Sequence, residues 1–318
     1  VPDLPLSQDK VQRVRAGLLG WFREVQRDLP WRRTRDPYAI LVSEVMLQQT
    51  QVDRVLPYYA RFLERFPNAP SLAEAPVADV IKLWSGLGYN RRAVNLQRAA
   101  QAVVAEYGGE FPSEPEELRK LPGLGPYTAG AVAAFAFERD VAFLDTNMRR
   151  VVTRLVFGAE GAPERDVLAA AGELLPPGHG WEWNQALIEF GALQCTARKP
   201  ACIVCPLSEK CVAFPFIQGA LVQARARPHT TERFETSSRY YRGRIVERLR
   251  DLPAGDVNGI PLAILGPLLR EDFSEADLPW LADLVRGLQR DGLAAFAEDR
   301  PGYDEAPDLT LDSRIRLP

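Results

Sequence analysis

The stretch CTARKPACIVCPLSEKC, residues 195–211, holds every cysteine of the 318-residue chain. Cys195, Cys202, Cys205 and Cys211 are spaced C-x6-C-x2-C-x5-C. Four thiols gathered this closely are what a four-thiolate iron–sulfur centre requires, because cluster irons are held by thiolate sulfur. Two other readings stand beside it. A pair of disulfides suits oxidising compartments and small secreted domains. Residues 1–10, VPDLPLSQDK, form no charged-then-apolar leader, and no apolar run reaches membrane length, so the expected setting is cytoplasmic, with no membrane contact. Structural zinc also accepts four thiolates, but its sites usually present two C-x2-4-C knuckles, and only Cys202 and Cys205 form one.

Outward from the cysteines, the length and the 46% hydrophobic content predict two domains with a sizeable core. A net charge of −3 neither favours nor excludes a nucleic-acid partner, since positive charge matters where it is gathered. One gathering exists within 223–250, where Arg225, Arg227, Arg233, Arg239, Arg242, Arg244, Arg248 and Arg250 outnumber Glu232, Glu235 and Glu247. Solvated linker charge explains that segment equally well.

Apolar residues before the cysteines recur at three- and four-residue intervals, as in Val42, Val45 and Met46, then Val52, Val55 and Leu56. This part is predicted to be all-α, with helices over 10–28, 37–66, 77–83 and 91–107. Residues 215–236, including His229, are polar and read as a linker. Beyond them, helices over 238–252, 261–268 and 275–291, followed by strands near 293–297 and 313–317, predict a small winged-helix-like α+β module.

Three segments carry residues suited to chemistry. LPGLGPYTAG, residues 121–130, reads as a glycine-containing hairpin running into a small-residue helix, where Gly123 and Gly125 permit close approach of a phosphate to backbone amides. An ordinary helix–turn–helix has the same signature. In FLDTNMRRV, residues 143–151, Asp145 precedes a helix, so it is either an N-cap or a carboxylate facing a cleft. In SEVMLQQTQV, residues 43–52, Glu44 lies among apolar residues, which raise a carboxyl pKa and suit it to act as a general acid. Alternatively Ser43 caps a helix, with Glu44 as a first-turn charge. Two acids in different environments are what cleavage of an N-glycosidic bond needs.

Together with WSGLGYNRRAVNL from Trp84, NQALIEFGALQC from Asn184 and the cysteine spacing, these motifs resemble the MutY-type adenine DNA glycosylases of the helix–hairpin–helix/endonuclease III superfamily, over residues 8–215. The resemblance implies a two-lobed all-α glycosylase holding a [4Fe-4S] cluster on Cys195, Cys202, Cys205 and Cys211. Its substrate would be double-stranded DNA containing adenine mispaired with 8-oxoguanine or guanine, engaged by a monomer that flips the adenine out of the stack. Implied lobes are 1–28 with 135–218 for the cluster and 29–134 for a six-helix barrel, followed by a linker over 219–236 and the module over 237–318. By resemblance, Glu44 protonates adenine N7 and Asp145 stabilises the oxocarbenium ion, with Asn147 and Tyr127 orienting and hydrogen-bonding that acid. Trp31, Arg32 and Glu189 shape the adenine pocket. Gln49 and Tyr89 enter the stack beside the lesion, Thr50 and Leu87 lie near the opposite base, and Arg198 and Lys199 meet phosphate.

Tyr127 separates the chain from bifunctional relatives, and the chain departs from the MutY pattern in two places. Bifunctional relatives carry a lysine where Tyr127 stands, and a phenol cannot form a Schiff base, so a monofunctional enzyme is expected. No Phe-Ser-His element for reading 8-oxoguanine follows Gly219. Thr146 after Asp145 replaces a glycine common in MutY sequences, which keeps removal of thymine from T:G or of an oxidised pyrimidine open. The remaining alternative is a non-catalytic iron–sulfur DNA-binding protein using a winged helix.

Overall fold

A computed structural model describes residues 7–158, 161–217, 234–253, 256–297 and 309–318. The chain divides into two compact units, Val1–Glu44 with Phe111–His229, and Val45–Glu110 with Thr230–Pro318.

In the first unit, α1 (Gln8–Val25) starts at Ser7, whose side chain accepts from the Lys10 amide, and buries Val11, Val14, Leu18 and Phe22 at helical spacing. α2 (Pro37–Leu47) ends just inside the second unit. Continuing the second unit, α3 (Val52–Arg65), α4 (Ala69–Ala73), α5 (Val77–Leu83) and α6 (Arg91–Tyr107) lead to Gly108, whose left-handed backbone closes α6. The chain then returns to the first unit with α7 (Pro115–Leu118), a hairpin turned by Gly123 at φ +82°, and α8 (Pro126–Ala136). α9 (Thr146–Val152) runs into a π-helical turn at Thr153–Phe157, followed by α10 (Glu164–Leu174) and α11 (Gly180–Leu193). Around that turn, the Arg154 and Leu155 carbonyls accept from the Ala213 and Val212 amides at 2.9 and 3.2 Å, tying down the end of the cysteine segment.

One expected helix is two. Residues 37–66 break between Leu47 and Val52, where Gln49 adopts φ +54°.

In the second unit, α12 (Ser238–Arg250), α13 (Leu262–Leu269) and α14 (Leu278–Arg290) pack beside short antiparallel strands. These are β1 (Ile260–Pro261), β2 (Ala295–Phe296) and β3 (Arg314–Arg316), in the order β1-β3-β2. Ile315 pairs with both Ile260 and Phe296 and is fully buried, so one central residue joins the sheet to the helices. Helices followed by a β-ribbon are thus present, with β1 as an added strand.

The unit boundaries differ from the lobes expected at 28/29 and 134/135. The module's core explains part of this, because Ile81 of α5 and Val94 of α6 belong to the same buried cluster as Ile245, Leu265, Leu284 and Ile315. The expected linker 219–236 lies outside the described residues except for a 3-10 turn at Phe234–Thr236, and His229, Arg225, Arg227 and Arg233 lie outside them too. Among the described residues no helix is long and apolar enough to cross a membrane.

Candidate active site

Residues 38–46 of α2 are all buried, as a helix apolar on every side must be, and this places Glu44 deep in the protein. The alternative of a Ser43 cap fails. Ser43 sits mid-helix at 0% exposure, and its hydroxyl donates to the Ile40 carbonyl at 2.8 Å. α8 is equally enclosed from Thr128 to Phe135. At its start Tyr127 donates its hydroxyl to Glu44 Oε2 at 2.8 Å. The small residues of α8 set this position: a Cβ on Gly130 would meet Phe143 at 2.7 Å, and Phe143 packs edge-on against Tyr127 with centroids 5.4 Å apart.

Asp145 takes the N-cap role and keeps its second carboxylate oxygen for a side-chain partner. Its Oδ1 caps α9 by accepting from the Met148 amide at 2.6 Å, while Oδ2 accepts from Asn147 Nδ2 at 3.2 Å. The resemblance put Tyr127 on Asp145 as well; the hydroxyl serves Glu44 instead, because α8 presents it to α2.

The two carboxyls differ electrostatically. Burial pushes Glu44 up to about 7, aided by the nearby Asp145 charge and opposed by the Tyr127 hydrogen bond and by Arg32. Burial also raises Asp145, against hydrogen bonds from Met148 and Asn147 and the Arg150 cation. Tyr127 itself is raised well above 10 by burial and by the two acids, so it remains a neutral donor. One acid that holds a proton near neutral pH, with a second acid close by, can protonate a leaving group and face the cation left behind.

A buried ion network closes the same unit. Glu189 is 0% exposed and receives Arg27 through Nε and Nη2 at 2.7 Å each, and Arg32 Nη2 at 2.9 Å. Burial alone would raise its pKa, yet these guanidinium hydrogen bonds hold it at about 2. Arg32 also donates to Gln185 Oε1 at 2.8 Å and to the Arg27 carbonyl at 3.0 Å, and Trp31 beside it is buried. Arg27 and Gln185 were not singled out from the sequence, although Gln185 lies within NQALIEFGALQC.

Arg150 links the acids to the cysteines. It donates to Asn147 Oδ1 at 2.8 Å, to the Gly191 carbonyl at 2.6 Å and to the Cys195 carbonyl at 2.8 Å. A Cβ on Gly191 would meet the Asn147 Cβ at 2.7 Å, so α9 and α11 approach this closely only at glycine. One turn later Arg154 reaches Cys195 Sγ at 3.5 Å and the Thr196 carbonyl at 2.8 Å.

The donor set fits an iron–sulfur cluster. All four cysteines line one pocket, walled by apolar side chains including Leu155, Phe190, Leu207 and Ile217. Among the described residues no group of three or more His, Cys, Asp or Glu is drawn together for a single metal ion. A cluster gives each of four thiolates its own iron, and the four cysteines on one pocket wall supply that number. Burial, with mutual repulsion, raises the Cys202, Cys205 and Cys211 thiols, Cys205 to about 11, a strain that bound iron would relieve. Arg198 and Lys199 are exposed on the loop between Cys195 and Cys202. Gly125 heads α8 without a side-chain cap and has open space where a Cβ would stand, so Gly123 is the glycine that the hairpin conformation requires.

Gln49, Thr50, Leu87 and Tyr89 lie in the second unit, where Arg92 organises them. This residue was not singled out from the sequence. Its guanidinium donates to the carbonyls of Val45, Met46 and Gln48 at 2.7–3.0 Å, and to Thr50 Oγ1 and the Leu87 and Gly88 carbonyls at 3.2 Å. Desolvation lowers its pKa to about 10. Two turns are thereby bound to one cation, with Gln49 at φ +54° and Tyr89 at φ +46°. Tyr89 is 46% exposed, whereas Leu87 is 5% exposed and packs inward.

The chain is similar to known proteins over most of its length. Residues 42–177 match the family described as HhH-GPD superfamily base excision DNA repair protein, and residues 195–211 match the iron–sulfur binding domain of endonuclease III. The adenine DNA glycosylase of Mycolicibacterium smegmatis is 40% identical over 306 residues, covering 94% of both chains. That of Mycobacterium tuberculosis is 37% identical, covering 95% of this chain and 92% of its own. A solved thermostable thymine-DNA glycosylase superposes with TM-score 0.62 at 32% identity, covering 65% of this chain and 97% of its own.

Proposed function

Since the chain belongs to the MutY-type adenine DNA glycosylases, hydrolases of N-glycosyl bonds with a [4Fe-4S] cluster, we propose that it releases adenine mispaired with 8-oxoguanine or guanine in double-stranded DNA and leaves the strand uncut. The observation that carries this reading is the pairing of Glu44, protonated near neutral pH, with the capped and polarised Asp145. In this reading Glu44 gives its proton to adenine N7, the C1′–N9 bond breaks with its electron pair moving to the base, and Asp145 stabilises the cationic sugar until water adds. Tyr127 tunes Glu44, and Asn147 orients Asp145. Arg32, Trp31 and Glu189 form the wall against which adenine lies.

The cluster, when bound to the four cysteines, supplies a rigid framework for residues 195–211. Arg198, Lys199 and the Gly123–Gly125 hairpin meet DNA phosphates, and Gln49, Thr50, Leu87 and Tyr89 serve the opposite strand. The enzyme acts as a monomer in the cytoplasm, on the DNA of the nucleoid. Tyr127 has no amine to form a Schiff base, so base release proceeds without strand cleavage.

Single-turnover base release from duplexes carrying A opposite 8-oxoguanine, A opposite G, T opposite G and thymine glycol tests the reading. Adenine release with no borohydride-trapped adduct is expected; strand cleavage keeping pace with release would count against it. Release of thymine from T:G is the second reading, favoured by the likeness to the thymine-DNA glycosylase. Glu44 weighs against it, because its proposed partner is a purine nitrogen.

A further inference from the structure

The helix α13, LAILGPLL, is apolar along its whole length. Such a helix is ordinarily enclosed on every side, yet α13 is not. Leu262, Leu265 and Gly266 are buried, whereas Ala263, Ile264, Pro267 and Leu268 are exposed, Ile264 at 55% and Leu268 at 43%. At about 100° per residue these four fall on one half of the helix, with no polar side chain among them. Single exposed apolar residues are ordinary; a contiguous face of them marks a contact surface.

The orientation of this face is fixed at both ends. The Leu262 and Ala263 amides donate to the Ser313 and Leu311 carbonyls at 2.9 and 2.8 Å, anchoring the start of the helix to the chain that approaches β3. Towards the other end the Phe273 ring fills the space where a Cβ on Gly266 would stand, so residues 270–277 fold back along α13. A capping box between Ser274 and Asp277 holds that segment in shape.

The folded-back segment defines the kind of partner that fits. Residues 262–277 hold one cation, Arg270, against Glu271, Asp272, Glu275 and Asp277. Arg270 is engaged by Asp272 at 3.5 Å and Asp277 at 3.2 Å, and lies 5.1 Å from the Trp280 ring centroid. Glu271 and Glu275 are exposed, so the apolar face is rimmed by negative charge. Nucleic acid is repelled there by its phosphates and has no apolar stripe to offer. A second copy of the chain, docked by two-fold symmetry on the same patch, would set one acidic rim against another. The complement is an amphipathic helix whose apolar stripe is flanked by lysine or arginine.

We propose that this face of α13 docks an amphipathic helix of a partner protein, its apolar side covering Ile264 and Leu268 and its basic flanks meeting Glu271, Asp272 and Glu275. The docking role is independent of adenine release, because no residue of α13 belongs to the site described above.

The test is fluorescence anisotropy of the full chain, cluster intact, with two labelled helical peptides that carry leucine at i, i+3, i+4 and i+7. One has lysine on both flanks of the stripe, the other glutamate. Preference for the lysine peptide is expected, with binding weakened about tenfold or more by Leu268→Asp and by the milder pair Ile264→Ala with Leu268→Ala. Reversing the rim with Glu271→Lys and Glu275→Lys is expected to transfer the preference to the glutamate peptide. Absence of binding, equal binding of the two peptides, or undiminished binding by the variants would overturn the docking role. So would self-association in sedimentation that Leu268→Asp abolishes, since the occupant would then be a second copy. Melting curves and single-turnover base release of every variant are expected to match the wild type; loss of release by a folded variant would assign the face to catalysis and overturn the proposal.

Discussion

Replacing Tyr127 with phenylalanine is expected to move the alkaline limb of the pH–rate profile upward. The phenol donates to Glu44 Oε2 at 2.8 Å and so favours the ionised form against the burial that lifts Glu44 to about 7. A hydrogen bond to a charged group contributes about 1.5–3 kcal/mol, and 1.36 kcal/mol corresponds to one pKa unit, so its loss raises the Glu44 pKa by about 1–2. If protonated Glu44 is the acid, single-turnover adenine release by the wild type falls about tenfold per pH unit above pH 7. In Tyr127→Phe the fall begins about 1–2 pH units later, with rates on the acidic side retained within severalfold. A limb that stays in place or moves to lower pH, in a variant whose melting curve matches the wild type, would refute the reasoning. Uniform loss at every pH would do so too, by making the phenol a participant and not a tuner.

Three further outcomes follow from the same site. Glu44 has its folded pKa raised from 4.5 to about 7, so its stabilising contribution is full below pH 4.5 and is lost as pH rises through 7; Glu44→Gln, which does not titrate, is expected to abolish release yet be more stable than wild type above pH 7 by up to about 3 kcal/mol in denaturant melts. Glu189 has its pKa depressed from 4.5 to about 2, so its contribution is present above pH 4.5 and fades as pH falls towards 2; Glu189→Gln strands Arg27 and Arg32 and should cost about 3–5 kcal/mol near pH 7, with the gap to wild type closing in acid. Arg150→Gln cuts the ties among Asn147, Gly191 and Cys195, and is expected to lower single-turnover release by about 10²-fold together with a loss of bound iron; unchanged rate and iron content would remove Arg150 from a positioning role.

The sequence made helices legible where one face was apolar, as in α1, and where glycine marked an end, as at Gly108. It hid the break between α2 and α3. QQTQ contains no glycine or proline, and what turns the chain there is Arg92, more than forty residues later in sequence, capturing the carbonyls that end α2. It also hid β1, because a two-residue strand ending in proline has no period to read. Of the acids, Glu44 announced itself by its apolar setting. The two readings of Asp145 could not be separated in the sequence, because a helix-capping carboxylate can still leave one oxygen free for another partner. Arg92 was missed for a different reason: a guanidinium bonded to backbone carbonyls leaves no signature in the residues that it holds.

That property of Arg92 bears on how such an enzyme changes over time. Five of its six bonds end on main-chain oxygens, which every residue possesses. The side chain at position 48 can therefore vary while the loop keeps its shape, provided that the arginine stays, whereas Gly88 at φ +75° is tied to glycine. A library randomised at Gln49 and Tyr89 would test whether these two side chains, proposed to serve the opposite strand, set the preference for one mispair over another.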